Sequence, residues 1–356
     1  MIAALVATAI AVAGGSTAAV PAADPLADIG ERQLAGQRLV AGFEGTRVPG
    51  SLKRMIRKGR LAGVVLFADN LPSEGAARAV VSRLRSIPRP RPVGEPLLVM
   101  VDQEGGLVKR LPGPPTMSAA AMGRRGASVA RRQGRRTGRY LRGFEINVDL
   151  APVLDLGHPG GEIAKTGRGF SARASRVAVV GGAFAGGLAG GAVAATAKHF
   201  PGFGAARANT DDATQVIDLS KRRLRRREEL PFERFAARGG ELVMLSWAIY
   251  PALDPGTPAG LSRRIATREL RKRVGFRGVS ITDAMDAAAV RGIGGPGKRA
   301  RLAARAGSDL LLFAEIGDAQ AAADELVESV RDGSLRRDRF RAAARRVLRL
   351  RGSLRD

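Results

Sequence analysis

The chain has 356 residues, room for one large domain or two ordinary ones, and 45% of them are hydrophobic, enough for a sizeable core. Its 59 Lys and Arg against 33 Asp and Glu give a formal net charge of +26, which favours polyanions such as nucleic acid, anionic membrane or acidic wall polymers; a general bias toward Arg, Ala and Gly is the alternative source of that charge. The absence of cysteine excludes disulfides, thiolate chemistry and lipid attachment through sulfur, and 4% aromatic residues leave little with which to stack single-stranded nucleic acid.

In chain order, Met1 to Gly14 is apolar and rich in Ala, and small residues continue through Ala23. Residues 1–23 read as a signal peptide, with cleavage after Ala22, or as an uncleaved N-terminal anchor, because the basic residues that usually open a signal peptide are missing. The chain is therefore expected to be exported, extracellular or attached to the cell envelope. No other apolar run is long and clean enough to span a bilayer.

From residue 30 to 352 short apolar runs alternate with longer amphipathic ones. Strands are predicted over 38–43, 63–67, 97–101, 147–151, 194–199, 242–246, 279–282 and 309–313. Helical patterns lie between and after them, over 74–86, 128–142, 175–188, 222–238, 267–274, 298–306, 319–331 and 337–349, with Pro231 breaking or restarting the fourth. This alternation predicts parallel β/α units, and about eight of them in one domain predict an α/β fold of the (β/α)8 TIM-barrel type; a doubly wound open sheet is the alternative. The barrel is preferred because polar residues recur where strands end, which is where that fold builds its sites.

Three such ends stand out. Leu97 to Val101 closes on Asp102, followed by Gln103-Glu104-Gly105-Gly106. The run Gly191 to Ala197 closes on Lys198-His199-Phe200-Pro201-Gly202, and Val279 to Thr282 closes on Asp283. A charge at the end of a buried strand must be desolvated, paired or used. Asp283 suits a nucleophile toward an anomeric carbon, a metal ligand, a general base or a plain helix cap. Asp102 suits a grip on vicinal sugar hydroxyls, with the two glycines letting backbone approach a ligand, or an ordinary turn; Glu104 suits a structural partner for an arginine. Lys198 and His199 would face opposite sides of a regular strand, so both reach one ligand only where the strand end is irregular. His158 and His199 are the only histidines and lack ligand spacing, which argues against a catalytic metal. Neither a nucleophile elbow nor a phosphate loop is present.

Taken together, Gly63-Val64-Val65-Leu66-Phe67 with Asn70, Val101 to Gly106, Asn147 to Asp155, Lys198 to Gly202, Tyr250-Pro251-Ala252-Leu253-Asp254 and Thr282-Asp283 resemble glycoside hydrolase family three, specifically its single-domain bacterial β-N-acetylglucosaminidases. The resemblance implies a retaining hydrolase on a TIM-type barrel, acting on N-acetylglucosamine-containing wall glycans, with no cofactor and no specific nucleic acid partner. It implies that Asp283 is the nucleophile and that Asp102, Arg110, Arg168, Lys198 and His199 bind the sugar. The chain departs from the family at the acid/base. Phe203 replaces a His that normally follows the Lys-His-Phe-Pro-Gly motif, Asn209-Thr210-Asp211 stands where Asp-Ser-His is expected, and Trp247 occupies another position where His is common. Asp211 is then the substitute acid, with Asp212 beside it. An ordinary Asp titrates near 3.9, so such a donor needs burial or a neighbouring carboxylate, for which Asp212 is the near candidate. The alternatives to an active β-N-acetylglucosaminidase are a β-glucosidase-type specificity, a catalytically weak or inactive sugar-binding relative, and a protein whose charge is its function.

Overall fold

The computed structural model describes residues 26–354, so the predicted leader over residues 1–23 lies outside the described residues. Eight parallel strands close into a barrel: β1 (Leu39–Ala41), β2 (Gly63–Leu66), β3 (Leu98–Val101), β4 (Val148–Asp149), β5 (Ala194–Phe200), β6 (Leu242–Leu245), β7 (Val279–Ala284) and β8 (Leu310–Phe313). Each pairs with its neighbours in sequence, and β1 pairs with β8 to complete the ring. The predicted strands fall on all eight. The structure shortens most of them at the ends, and β4 shrinks to two residues.

Helices cover the outside: α1 (Gly50–Arg57), α2 (Glu74–Arg85), α3 (Ala127–Arg142), α4 (Ala174–Ala189), α5 (Leu230–Ala237), α6 (Pro296–Ala306), α7 (Ile316–Arg331) and α8 (Arg337–Ser353). A π-helical segment, Arg264–Arg273, fills the place between β6 and β7 where residues 267–274 are predicted helical. The predicted helix over 222–238 is three pieces: Lys221–Arg223, a π-turn at Leu224–Glu228, and α5, whose first turn carries Pro231. Proline is tolerated there because its missing N–H has no intrahelical acceptor to lose.

Strands buried on both faces need apolar residues at every position, which is why they read as continuous runs rather than alternating ones. Val65, Met100, Leu242, Ile281 and Leu310 fill the barrel interior, while Val64, Val99 and Leu311 face the helices. The interior packing stops at the C-terminal ends of the strands, and polar side chains begin there. Among the described residues, no helix is long and apolar enough to cross a membrane.

Candidate active site

A pocket of about 210 Å³ opens over the C-terminal ends of the strands, and Asp102, Arg110, Arg168, Lys198, His199, Asp211 and Asp283 all line it. The three polar strand ends read in the sequence thus form one rim. Phe67, Val108, Phe203 and Met244 supply apolar wall.

One side of the pocket is a buried chain of charges. Lys198 Nζ lies 2.6 Å from Asp102 Oδ1 and 2.8 Å from Glu104 Oε1. Arg168 grips Glu104 with Nε and Nη2, each at 2.8 Å. The Arg110 guanidinium stands 3.9 Å from Asp102 on the outer side. Burial alone would raise the Glu104 carboxyl, but Lys198 and Arg168 outweigh it and hold the group down at about 2. Burial works against the Lys198 and Arg168 charges too, and their carboxylate neighbours again prevail and push both upward. Glu104, Lys198 and Arg168 therefore stay ionised at neutral pH. Glu104 is the structural partner anticipated for an arginine, and Arg168 reaches the pocket with one guanidinium edge already committed to it.

The loop carrying this cluster is held by Gln103. Its carboxamide accepts from Arg110 N and Leu111 N, each at 3.0 Å, and donates to Leu111 O and Pro114 O, each at 2.9 Å. The glycines that follow shape the hairpin itself. At φ +90° and +66°, Gly105 and Gly106 turn the hairpin formed by Gln103–Gly105 and Val108–Lys109, and a Cβ on Gly105 would stand 2.4 Å from Met117 O. Their smallness lets the hairpin pack on residues 115–118.

Lys198 and His199 both line the pocket because β5 is irregular at its end: its register on β6 shifts between Ala197 and Phe200. Beyond β4 the chain continues to pair with β5 through Val153 and Lys198, and this brings Asp155 against His199. Asp155 accepts from the backbone N–H groups of His199 and Phe203, and its Oδ2 lies 2.7 Å from His199 Nδ1. An ionised carboxylate only accepts, so Nδ1 carries the proton and Nε2 is the nitrogen left for a ligand. Phe203 meets the imidazole edge-on at 5.7 Å. His158 is elsewhere, paired to buried Glu228 at 3.1 Å.

The opposite side is built from β7 and the loop after β5. Asp283 is half-buried, and its Oδ1 accepts from Ala284 N at 2.8 Å. Asp211 sits at the exposed rim, and Asn209 holds it reciprocally: Asn209 Nδ2 donates to Asp211 Oδ2 at 2.9 Å, and Asp211 N donates to Asn209 Oδ1 at 3.2 Å. The loop is tied to the chain just after Asp283, since Ala289 N donates to Thr210 O and Ala288 N to Asp211 O. Partial desolvation, and after it the charge of Asp283, raise the Asp211 carboxyl above its ordinary value; the Asn209 bond opposes them. The neighbouring carboxylate is thus Asp283 rather than Asp212, which is not among the residues lining the pocket.

Three further residues support the site without a sequence signal strong enough to assign them. In the sequence Asp155 ends the Asn147 to Asp155 motif, a carboxylate in the apolar run Val153 to Leu156 to which no role is assigned. Asp149, fully buried beneath the Asp102 loop, accepts from Gln103 N at 3.0 Å through Oδ1, while its Oδ2 has no partner; burial raises this carboxyl well above its ordinary value. Trp247, also fully buried, donates from Nε1 to Ala284 O at 2.7 Å.

The sequence profile of the glycosyl hydrolase family 3 N terminal domain matches residues 33–350. A protein of Arthroderma benhamiae, described as an uncharacterized secreted glycosyl hydrolase, is 36% identical over 329 residues, which cover 90% of this chain and 93% of that one. A β-N-acetylhexosaminidase of Beutenbergia cavernae superposes with a TM-score of 0.84 at 31% identity, over 92% of this chain and 99% of its own. A family 3 β-N-acetylglucosaminidase from a Paenibacillus species superposes with a TM-score of 0.85 at 31% identity over 91% of this chain, which spans only 62% of that longer enzyme. A barrel closed by eight strands, polar strand ends converging on one pocket, and a match over nearly the whole described chain agree: the protein belongs to glycosyl hydrolase family 3 and is a glycoside hydrolase.

Proposed function

We propose that the protein is a retaining β-N-acetylglucosaminidase acting on glycans derived from cell wall, through a covalent glycosyl-enzyme on Asp283. The observation that carries this reading is the meeting of Asp283 and a proton-retaining Asp211 in the pocket that also holds Asp102, Arg110, Arg168, Lys198 and His199. The substrate class is supported by the N-acetylglucosamine specificity named for the Paenibacillus enzyme.

In the first step an Asp283 carboxylate oxygen attacks the anomeric carbon, the glycosidic C–O bond breaks, and Asp211 gives its proton to the departing oxygen. In the second a water attacks the same carbon, its proton goes to Asp211, and the Asp283 ester bond breaks. A carboxyl with raised proton affinity beside an ionised one is the division of labour this chemistry needs. Asp102, with Lys198, Arg110 and Arg168 around it, grips the hydroxyls of the non-reducing sugar, and His199 adds Nε2. Trapping with a 2-fluoro glycoside followed by peptide mass spectrometry tests the assignment: the label is expected on the peptide holding Asp283, and a label elsewhere removes it. Hydrolysis of aryl β-N-acetylglucosaminide against aryl β-glucoside tests the sugar.

Export is supported by the apolar opening of the sequence and by the secreted relative. Association with anionic wall polymers is supported by α3. Its buried face packs on α4 through Gly134 and Gly138, while Arg131, Arg132, Arg135, Arg136 and Arg139 lie exposed on the other face, with no side-chain ion pair or hydrogen bond to another described residue. Retention on a polyanion column should fall steeply with salt, and replacing Arg131, Arg135 and Arg139 by Gln should flatten that dependence. An unchanged salt dependence removes this partner.

A further inference from the structure

The end of β7 is anchored from the side by an indole. The ladder between β7 and β6 stops at Thr282 and Leu245, and the register between β7 and β8 shifts between Ile281 and Ala284. Asp283 therefore stands on an irregular stretch with no β6 partner. Such bulges aim side chains at active sites, and something must hold the bulged backbone still. Here the carbonyl of Ala284 accepts two bonds, a turn bond from Ala287 N at 3.2 Å and the shorter one from Trp247 Nε1 at 2.7 Å. The same residue's N–H donates to Asp283 Oδ1 at 2.8 Å. Ala284 is thus held at its carbonyl by Trp247 while it orients the Asp283 carboxylate with its amide. The indole itself has no freedom to follow a moving strand. It is fully buried, and a Cβ on Gly260 would stand 2.5 Å from Trp247 Cζ3, so only glycine admits the ring.

We propose that Trp247 is a positioning residue for the nucleophile: its indole N–H fixes Ala284, and through it the attack geometry of Asp283. The proposal rests on the assignment of Asp283 above. Trp247 does not line the pocket, so it makes no substrate contact and contributes nothing to binding affinity. Loss of the N–H should act on kcat and leave KM alone, since displacement of a reacting group by a fraction of an ångström is felt in the chemical step.

Trp247 is the only tryptophan in the chain, so tryptophan analogues supplied during expression alter this one side chain. Benzothienylalanine keeps the bicyclic shape and replaces the N–H by sulfur; 5-fluorotryptophan keeps the N–H. With benzothienylalanine, kcat for an aryl β-N-acetylglucosaminide and the rate of 2-fluoro glycoside labelling are each expected to fall about tenfold, with KM unchanged within about twofold. With 5-fluorotryptophan both are expected to stay within about twofold of the native enzyme. Equal losses with both analogues, unchanged rates with both, or a loss expressed in KM would overturn the proposal. Trp247→Phe supplies the same comparison by mutagenesis, and failure of both the Phe and benzothienyl proteins to fold would make Trp247 a core residue and nothing more. Labelling of the native enzyme at another residue would sink the nucleophile assignment itself; labelling at Asp283 with an unaltered rate in the benzothienyl protein sinks only the role of Trp247.

Discussion

The two sides of the pocket solve opposite problems. On the Asp102 side every charge has a buried partner: Lys198 bridges Asp102 and Glu104, and Arg168 completes the chain. On the Asp283 side two carboxylates face one another at the exposed rim with neutral neighbours, Asn209 and the Ala284 amide, for partners. The first arrangement holds groups ionised over a wide pH range and presents a fixed pattern of donors and acceptors. The second raises the hold of one carboxyl, Asp211, on its proton above the ordinary value, which transfer chemistry needs and binding does not. The contrast predicts that substitutions on the two sides are told apart by what they damage.

The largest effect is expected at Asp283. Asp283→Ala should lower turnover by at least about 10⁴-fold, with an unchanged melting temperature, because the step proposed for it has no substitute. Next is Asp211→Asn. General acid catalysis is worth about 10²–10⁴-fold, so this loss should appear with a poor leaving group and shrink for an activated aryl one. The acid form is the active form, so rates for the poor leaving group should fall as pH rises through the raised Asp211 value, and Asp211→Asn should abolish that limb. Equal losses on both leaving groups would take Asp211 out of the role.

On the binding side the leading damage is to stability. Glu104→Gln leaves Lys198 and Arg168 facing a neutral amide in a buried site, a change that costs about 3–5 kcal/mol. Denaturant titration at pH 7 measures it. The pH dependence has a definite sign. The folded value of Glu104, about 2, lies below the ordinary 4.5, so its contribution is fully present above 4.5 and is lost as pH falls toward 2. Glu104→Gln should therefore narrow its stability gap to the native protein in acid. A gap that persists at low pH would mean that packing, not charge, sets the effect. Asp102→Ala, by contrast, should raise KM for substrate and weaken product binding more than it lowers kcat.

These differences also separate what the sequence revealed from what it hid. The barrel was legible because strands buried on both faces must be apolar throughout, as Leu98 to Val101 is, and because polar residues begin where the interior ends. Asp102, Lys198 and Asp283 could be singled out because each is the first charged group after such a run, and His199 because it follows Lys198 directly. The roles of Asp155, Asp149 and Trp247 could not be read, although both carboxylates lie in the Asn147 to Asp155 motif and Trp247 stands where His is common. Their roles are fixed by what another strand brings over them: the β5 extension over Asp155, the Gln103 amide over Asp149, the bulged end of β7 over Trp247. The π-helical segments were missed for a related reason, since a helical apolar period reports which face is buried and not which carbonyl each N–H selects.

The smallest effect is expected at Asp149, and it tests the comparison most sharply, because this carboxylate lies just behind the charged side of the pocket without belonging to its charge chain. Burial raises its proton affinity well above the ordinary value, Gln103 N–H and the Lys198 charge oppose this, and Asp102 and Glu104 add to it. The folded protein therefore keeps the Asp149 proton to higher pH than the unfolded chain does. The stabilisation this gives is fully present below the ordinary value of 3.8 and is lost as pH rises toward the folded value. Asn has nearly the same shape, is neutral at every pH, and keeps an oxygen for the Gln103 amide. Asp149→Asn should then change stability by no more than about 1 kcal/mol near pH 5, leave KM and kcat within about twofold, and grow more favourable relative to the native protein as pH rises. If Asp149 were instead an ionised member of the Lys198 chain, the same substitution would destabilise at neutral pH as Glu104→Gln does. Parallel denaturation curves of the two variants between pH 5 and pH 9 decide between a charge that the pocket uses and a proton that the barrel merely keeps.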